Sequence, residues 1–182
     1  MTDGQASHKA QARRDELAER IADHLLENGL SAATLRPIAR AAGLSDRMLI
    51  YYFETRDAAV AAGLECAAGR LKDRLATAQA PHPLPAQALA DHLSPFILHP
   101  DQAPVMTLWL EIAARAARGE APYSAIAPSI AAGFLDWIRV QLEAPPDKLE
   151  AEALSVLARL DGLALLQAAG LDLSPAQRLT RL

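Results

Sequence analysis

Apolar residues recur every third or fourth position along most of the chain, which is the period of one helix face. Within residues 9–28, Leu17, Ile21 and Leu25 fall four apart with Leu26 beside them, while Arg13, Arg14, Glu16, Glu19, Arg20 and Glu27 take the other faces. This predicts an amphipathic helix over 9–28. Asn28 and Gly29 close it, because glycine adopts the left-handed conformation at a helix end and Leu30 then folds back onto the last turn. Thr34 is a good N-cap for a second, short helix over 35–42, with Pro37 in the first turn, where a missing N–H costs little. Gly43 turns the chain, and Ser45 caps a third short helix ending near Phe53. Thr55 caps a fourth helix that runs to about residue 79, with Asp57 near the positive end of its dipole. Its apolar positions include Val60, Leu64, Ala67, Leu71 and Leu75.

Pro81, Pro83 and Pro85 then interrupt the pattern and make a stiff connector. Beyond it the periodicity predicts helices at 86–98, 102–118, 123–143 and 147–169 and a short one near 175–181, punctuated by Pro100, Gly119, Pro122, Pro145, Pro146 and Gly170. No segment has the period of a strand, and no internal repeat is present. The expected organisation is an N-terminal three-helix domain over 9–55 and a helical domain over 56–182, with helix 56–79 as connector. The fold class is all-α.

Composition sharpens this. The 182 residues are half apolar but 4% aromatic, and alanine and leucine, which lose little freedom in a helix, dominate. The net charge of -4 argues against a chain that is basic throughout. The charge is uneven: residues 1–56 hold eight Lys/Arg and eight Asp/Glu, against ten and fourteen in the rest. The single cysteine, Cys66, cannot form an internal disulfide, which fits a reducing cytoplasm. Neither an apolar signal core at the N-terminus nor a run of eighteen apolar residues is found, so no membrane partner is expected.

The segment 34–53 is the most informative. Two helices of about eight residues joined by Ala42, Gly43 and Leu44 leave too short a turn for antiparallel packing, so they must cross steeply as in a helix-turn-helix. Ile38, Ala39, Leu44, Leu49 and Phe53 supply a small core, and Leu49 and Phe53 share a face at i, i+4. Asp46, Arg47, Met48, Ile50, Tyr51 and Tyr52 face largely elsewhere.

The run TLRPIARAAGLSDRMLIYYF over 34–53, followed by TRDAAV over 55–60, resembles the signature of the TetR (tetracycline-repressor) family. That signature has a threonine opening helix two, an Ile-Ala pair, an Ala-Gly-apolar-Ser turn, a Leu-Tyr-x-x-Phe recognition helix and a step into helix four. The match covers about residues 13–62. It implies a ligand-responsive DNA-binding regulator, a repressor that releases operator DNA on binding a small apolar molecule, and an all-helical homodimer. By the same resemblance Thr34 caps helix two near a phosphate and Arg36 reaches the backbone or a base. Ser45 caps the recognition helix, whose first turn carries Asp46, Arg47 and Met48, and Arg47 contacts guanine. Tyr51 and Tyr52 approach the phosphates or sugars, with one of the two expected to be mostly packed. Arg56 grips a phosphate at the start of helix four. The family's usual tyrosine after the recognition-helix leucine is Ile50 here, which cannot hydrogen-bond a phosphate.

Other chemistry finds little support. The five histidines show no ligand spacing, so no metal and no cofactor are expected. Cys66 reads as a small buried residue before a redox sensor. Glu111 and Arg115, four apart, read first as a surface pair on one helix. No phosphate-binding glycine loop, nucleophile elbow or nucleophile–base pair is recognisable, so the chain is not read as an enzyme. The alternatives are a helical protein-interaction module and an all-α enzyme with a site invisible in sequence. Phe96, Met106, Trp109, Phe134 and Trp137 are candidate walls of an effector pocket, each of them a core residue first. The apolar helices 123–143 and 147–169, with small residues at Ala131, Ala132, Gly133, Ala153, Ala158 and Ala164, are the expected homodimer contact.

Overall fold

The periodicities become helices at nearly the expected places. A computed structural model describes residues 3–173. Among these lie α1 (Asp3–Asn28), α2 (Leu35–Ala41), α3 (Asp46–Phe53), α4 (Arg56–Ala76), α5 (Ala86–Ile97), α6 (Ala103–Ala117), α7 (Tyr123–Arg139) and α8 (Leu149–Ala168), with 3-10 turns at Leu30–Ala32 and Pro100–Gln102. The short helix expected near 175–181 lies outside the described residues.

Two helices stop early, for identifiable reasons. α4 ends at Ala76, not near 79. There Thr77 and Ala78 donate to Arg74 and Leu75 three residues back, at 3.1 and 2.9 Å, and tighten the last turn. α7 ends at Arg139, not 143, because its following residues are used elsewhere. Leu84 donates its N–H to Gln141 O and accepts from Glu143 N, both at 2.9 Å, in an isolated parallel bridge. Backbone groups committed to that bridge cannot continue a helix.

The chain divides into two compact units: residues up to Arg70 with Glu111–Ala127, and Leu71–Leu110 with the chain from Pro128 onward. α4, α6 and α7 each supply residues to both.

In the first unit the α1 stripe is fully committed: Leu17, Ile21 and Leu25 are wholly buried, with Ile38, Leu49, Phe53, Ala59 and Val60. Gly63 brings α4 close to α1, since a Cβ there would lie 2.5 Å from Ile21 Cγ2. Arg70 fastens the same pair of helices at the surface, donating to Asp23 Oδ1 at 2.6 Å, to Glu19 O at 3.1 Å and to the Glu19 carboxylate.

In the second unit α5 packs on α8, around Leu89, Leu93, Ile97, Met106, Ile138, Val156 and Leu160. Gln141 anchors the proline connector: its Oε1 accepts from Ala80 N at 3.1 Å and its Nε2 donates to Trp137 O at 3.3 Å. Gln167 Nε2 donates to Leu98 O at 2.9 Å, and Arg159 pairs with Asp91, so α8 is also held to α5 by polar contacts.

Candidate functional site

The turn between α2 and α3 needs Gly43, whose φ of 71° favours glycine. Leu44 N donates across it to Ala39 O at 2.8 Å. Ser45 then caps α3, its Oγ accepting from Met48 N at 3.3 Å. Leu49 and Phe53 are wholly buried, so the orientation of α3 is fixed by packing. Arg14 lies 5.3 Å over the Phe53 ring, closing the back of this small core from α1.

With that face buried, the other side of α3 is open. Arg47, Met48 and Tyr51 are exposed, Tyr51 by 75%, while Asp46, Ile50 and Tyr52 are half-buried. The tyrosines divide as expected: Tyr52 is the packed one, with its ring edge-on to Tyr51 at 5.3 Å. On α2, Arg36 and Arg40 are both exposed and one turn apart. They line a shallow cleft of about 450 Å³ with Gly43, Leu44 and Asp46. Arg36 Nε stands 3.8 Å from Asp46 Oδ2, an exposed pair of little energetic weight. The exposed side of the two helices therefore carries Arg36, Arg40 and Arg47 against one carboxylate, on a chain that is acidic overall. Arg40 was missed in the sequence, although its spacing from Arg36 signals the shared face.

The surroundings of Thr34 and Arg56 differ from those of a free cap and a free cation. Thr34 occupies the N-cap position with extended backbone, but its side chain makes no capping bond. The first turn of α2 has a proline at its third residue, so one of the N–H groups a cap would satisfy is missing. Arg56, expected to reach outward, is half-buried and already engaged: Nη1 donates to Ala33 O at 3.0 Å and Nη2 pairs with Asp57 at 2.6 Å. It ties α4 to the residue preceding Thr34.

The Glu111–Arg115 pair is not formed. Glu111 instead accepts from Leu30 N at 2.7 Å, because the reversal at Gly29 leaves that N–H without a helical partner. Arg115 pairs with Glu120 at 3.3 Å and lies 5.3 Å over the Tyr123 ring. Cys66 is half-buried, and burial with the Glu19 carboxylate beside it pushes its thiol up to about 11, so it is a poor nucleophile at neutral pH.

The five proposed wall residues all pack on the core of the second unit: Met106 is buried, and Phe96, Trp109, Phe134 and Trp137 are half-buried. Trp109 Nε1 donates to Asp161 Oδ1 at 3.2 Å, and burial pushes that carboxyl up despite the bond. Phe96 also lines an open cleft with Arg74, Thr77, Pro95, His99, Asp101 and Gln102. No described helix is long and apolar enough to cross a membrane.

No family model matches the chain, and no curated protein matches it significantly. Solved structures do. A transcriptional regulator from Rhodococcus sp. Rha1 is 28% identical, with a TM-score of 0.66 over 90% of this chain and 85% of that one. A second Rhodococcus structure, assigned to the TetR-family transcriptional regulators, shares the fold at 18% identity, with a TM-score of 0.67 over 92% of this chain and 94% of that one. The protein therefore shares the all-helical fold of these transcriptional regulators over 90% or more of its length, with the segment 34–60 carrying the capped, exposed α3.

Proposed function

We propose that the chain is a one-component repressor that binds operator DNA as a homodimer in the cytoplasm and releases it when a small molecule occupies the C-terminal helical part. Residues 9–55 form the reading head, and α4 connects it to the rest. The observation that carries this reading is α3 itself: capped by Ser45, packed on one side, and open on the other at Arg47, Met48 and Tyr51 with Arg36 and Arg40 alongside. Arg47 reads a base by a bidentate contact, while Arg36, Thr34 and Tyr51 engage the backbone and Arg40 adds charge. Arg56 acts chiefly by holding α4 to Ala33.

The dimer reading is supported by α8, on which Leu154, Ala158 and Leu165 are exposed. A twofold dimer presents two recognition helices to major grooves about 34–36 Å apart. A ligand with greater affinity for a form whose helices are wrongly spaced would release DNA by that difference alone. A gel shift against DNA from upstream of the protein's own gene tests the reading. Retardation that survives competitor DNA supports it, and none at low salt overturns it.

A further inference from the structure

The turn that leads from α1 into α2 is gripped by side chains of α1, α4 and α6. The reversal at Gly29, with φ 68°, leaves Leu30 N–H without a helical partner, and Leu30 is buried. A buried N–H left unpaired is costly. The Glu111 carboxylate of α6 supplies the acceptor, Oε2 taking the Leu30 N–H at 2.7 Å. It sits so closely over the turn that a Cβ at position 29 would lie 2.8 Å from Oε1. Further along the same turn, His24 Nε2 donates to Ala32 O at 3.3 Å and Arg56 Nη1 donates to Ala33 O at 3.0 Å. Thr34 follows at once, and its carbonyl accepts from Ile38 N at 3.1 Å to start α2.

The grip from α6 differs in kind from the other two. α1 and α4 carry core residues of the unit that holds α2 and α3, such as Ile21 and Val60. α6 also carries Met106 and Trp109, two of the candidate effector walls, and Trp109 Nε1 donates to Asp161 of α8 at 3.2 Å. Trp109 and Glu111 are two positions apart, so they leave the helix on nearly opposite sides. One side of α6 is bonded to α8, the other to the turn before α2. A helix is stiff along its length, so a displacement at Trp109 carries Glu111 with it.

We propose that Glu111 is a positioning residue: its bond to Leu30 N–H fixes where α2 begins relative to α6, and a shift of α6 reaches the recognition helix through it. The consequence at DNA rests on the operator reading above; the bond and its effect on α2 do not.

Hydrogen exchange and gel shifts on the full chain test it with three variants. Glu111→Ala removes the acceptor, Glu111→Asp keeps the charge but withdraws it by one methylene, and Glu111→Gln keeps an acceptor at the same reach. Leu93→Ala, in the core of the second unit, is the control for lost stability. The Leu30 amide should exchange about tenfold faster or more in Glu111→Ala and Glu111→Asp, the Ile38 amide of α2 should follow, and Glu111→Gln should restore the parent rates. At DNA, the parent should prefer its operator over one with a base pair added between the half-sites. Glu111→Ala and Glu111→Asp should narrow that preference by about tenfold, the equivalent of one charged hydrogen bond. A merely structural Glu111 would weaken both DNAs alike, as Leu93→Ala does, and leave their ratio at the parent value. Glu111→Asp decides the matter if Glu111→Ala fails to fold. Unchanged exchange at Leu30 overturns the bond. Fast exchange at Leu30 with either Ile38 exchange or the spacing ratio unchanged overturns the positioning role. A parent that retards no DNA refutes the operator reading alone, and exchange at Ile38 still decides whether Glu111 positions α2.

Discussion

Arg47 and Arg56 both lie in the first turn of a helix, but their surroundings differ. Arg47 is exposed at the second position of α3, on the side that packing leaves open. Arg56 is half-buried and spends its guanidinium on Ala33 O and Asp57. Arg47→Ala should therefore cost about 1–3 kcal/mol at the operator and relax preference at one base position. Arg56→Ala should weaken all sequences alike and lower the melting temperature as well. Titrations over single-base operator variants, with thermal melts beside them, distinguish the two; unchanged operator affinity in Arg47→Ala would refute its assignment. A second residue, Asp161, bears on stability. Burial raises its carboxyl in the native state, so at neutral pH the ionised form costs the fold. As pH falls through the raised native value, the native state takes up its proton before the unfolded chain does, and stability recovers until the unfolded value of about 3.9 is reached. Asp161→Asn keeps an oxygen for Trp109 Nε1 and removes the charge. It should melt higher than the parent at pH 7, with the difference closing as pH approaches about 4. An equal or larger difference at low pH would show that the carboxyl is not the cause. The role of Asp161, like the link from Glu111 to Leu30 N, was invisible in the sequence because each partner lies on another helix, 52 and 81 residues away.

At the scale of elements, α4 carries two glycines with opposite expected costs. Gly63 is buried, and a Cβ there would stand 2.5 Å from Ile21 Cγ2 and 3.2 Å from Ile21 Cβ. Ile21 is wholly buried and branched at Cβ, so it cannot swing aside. Gly63→Ala should destabilise by about 1–3 kcal/mol of overpacking, less up to about 1 kcal/mol returned by helix propensity. Gly69 is exposed with nothing near its Cβ direction, so Gly69→Ala should stabilise by about 0.5–1 kcal/mol. Urea titrations of both variants settle this; a neutral Gly63→Ala would mean that α1 and α4 can separate without cost. The contrast marks how far the sequence carried. Periodicity located α1 to α8 and the buried stripe Leu17, Ile21 and Leu25, since a helix face is a local property. Which glycine permits close approach is set by a second helix. The ends of α4 and α7 were likewise misplaced by three or four residues, because Leu84 takes backbone groups after α7 and Thr77 tightens the end of α4. Within the recognition unit the signature reaches almost every exposed side chain of α3, because there the packing pattern and the fixed spacing coincide.

At the scale of the molecule, the open question is what covers α8. Its inward face is complete within its own unit: Ala153, Val156, Leu160 and Ala164 are buried against α5 and its neighbours. Its outward face is nonetheless apolar, with Leu154 exposed by 48% and Leu165 by 55%, and Ala158 exposed between them. Gly162, on the same side, has nothing within 4 Å of its Cβ direction, leaving room for a close neighbour. On α7, Pro128, Ser129 and Ala132 are exposed too, so the small residues that allow helices to approach lie outward on both. An apolar face of this kind, spaced by small side chains, suits a second copy of the same pair of helices in a four-helix bundle. The choice of substitution follows from burial. Leu157 packs partly on its own core, so a charge there would damage the chain whether or not it dimerises. Leu154 and Leu165 do not raise that problem. Light scattering on the parent should give about twice the single-chain mass of 19.5 kDa. Leu154→Glu combined with Leu165→Glu should give 19.5 kDa, keep its helical circular dichroism, and bind operator DNA far more weakly, because half-sites would then be met singly. A parent that scatters as a single chain, or a double variant that remains dimeric, would show that α8 is covered by something other than its own copy.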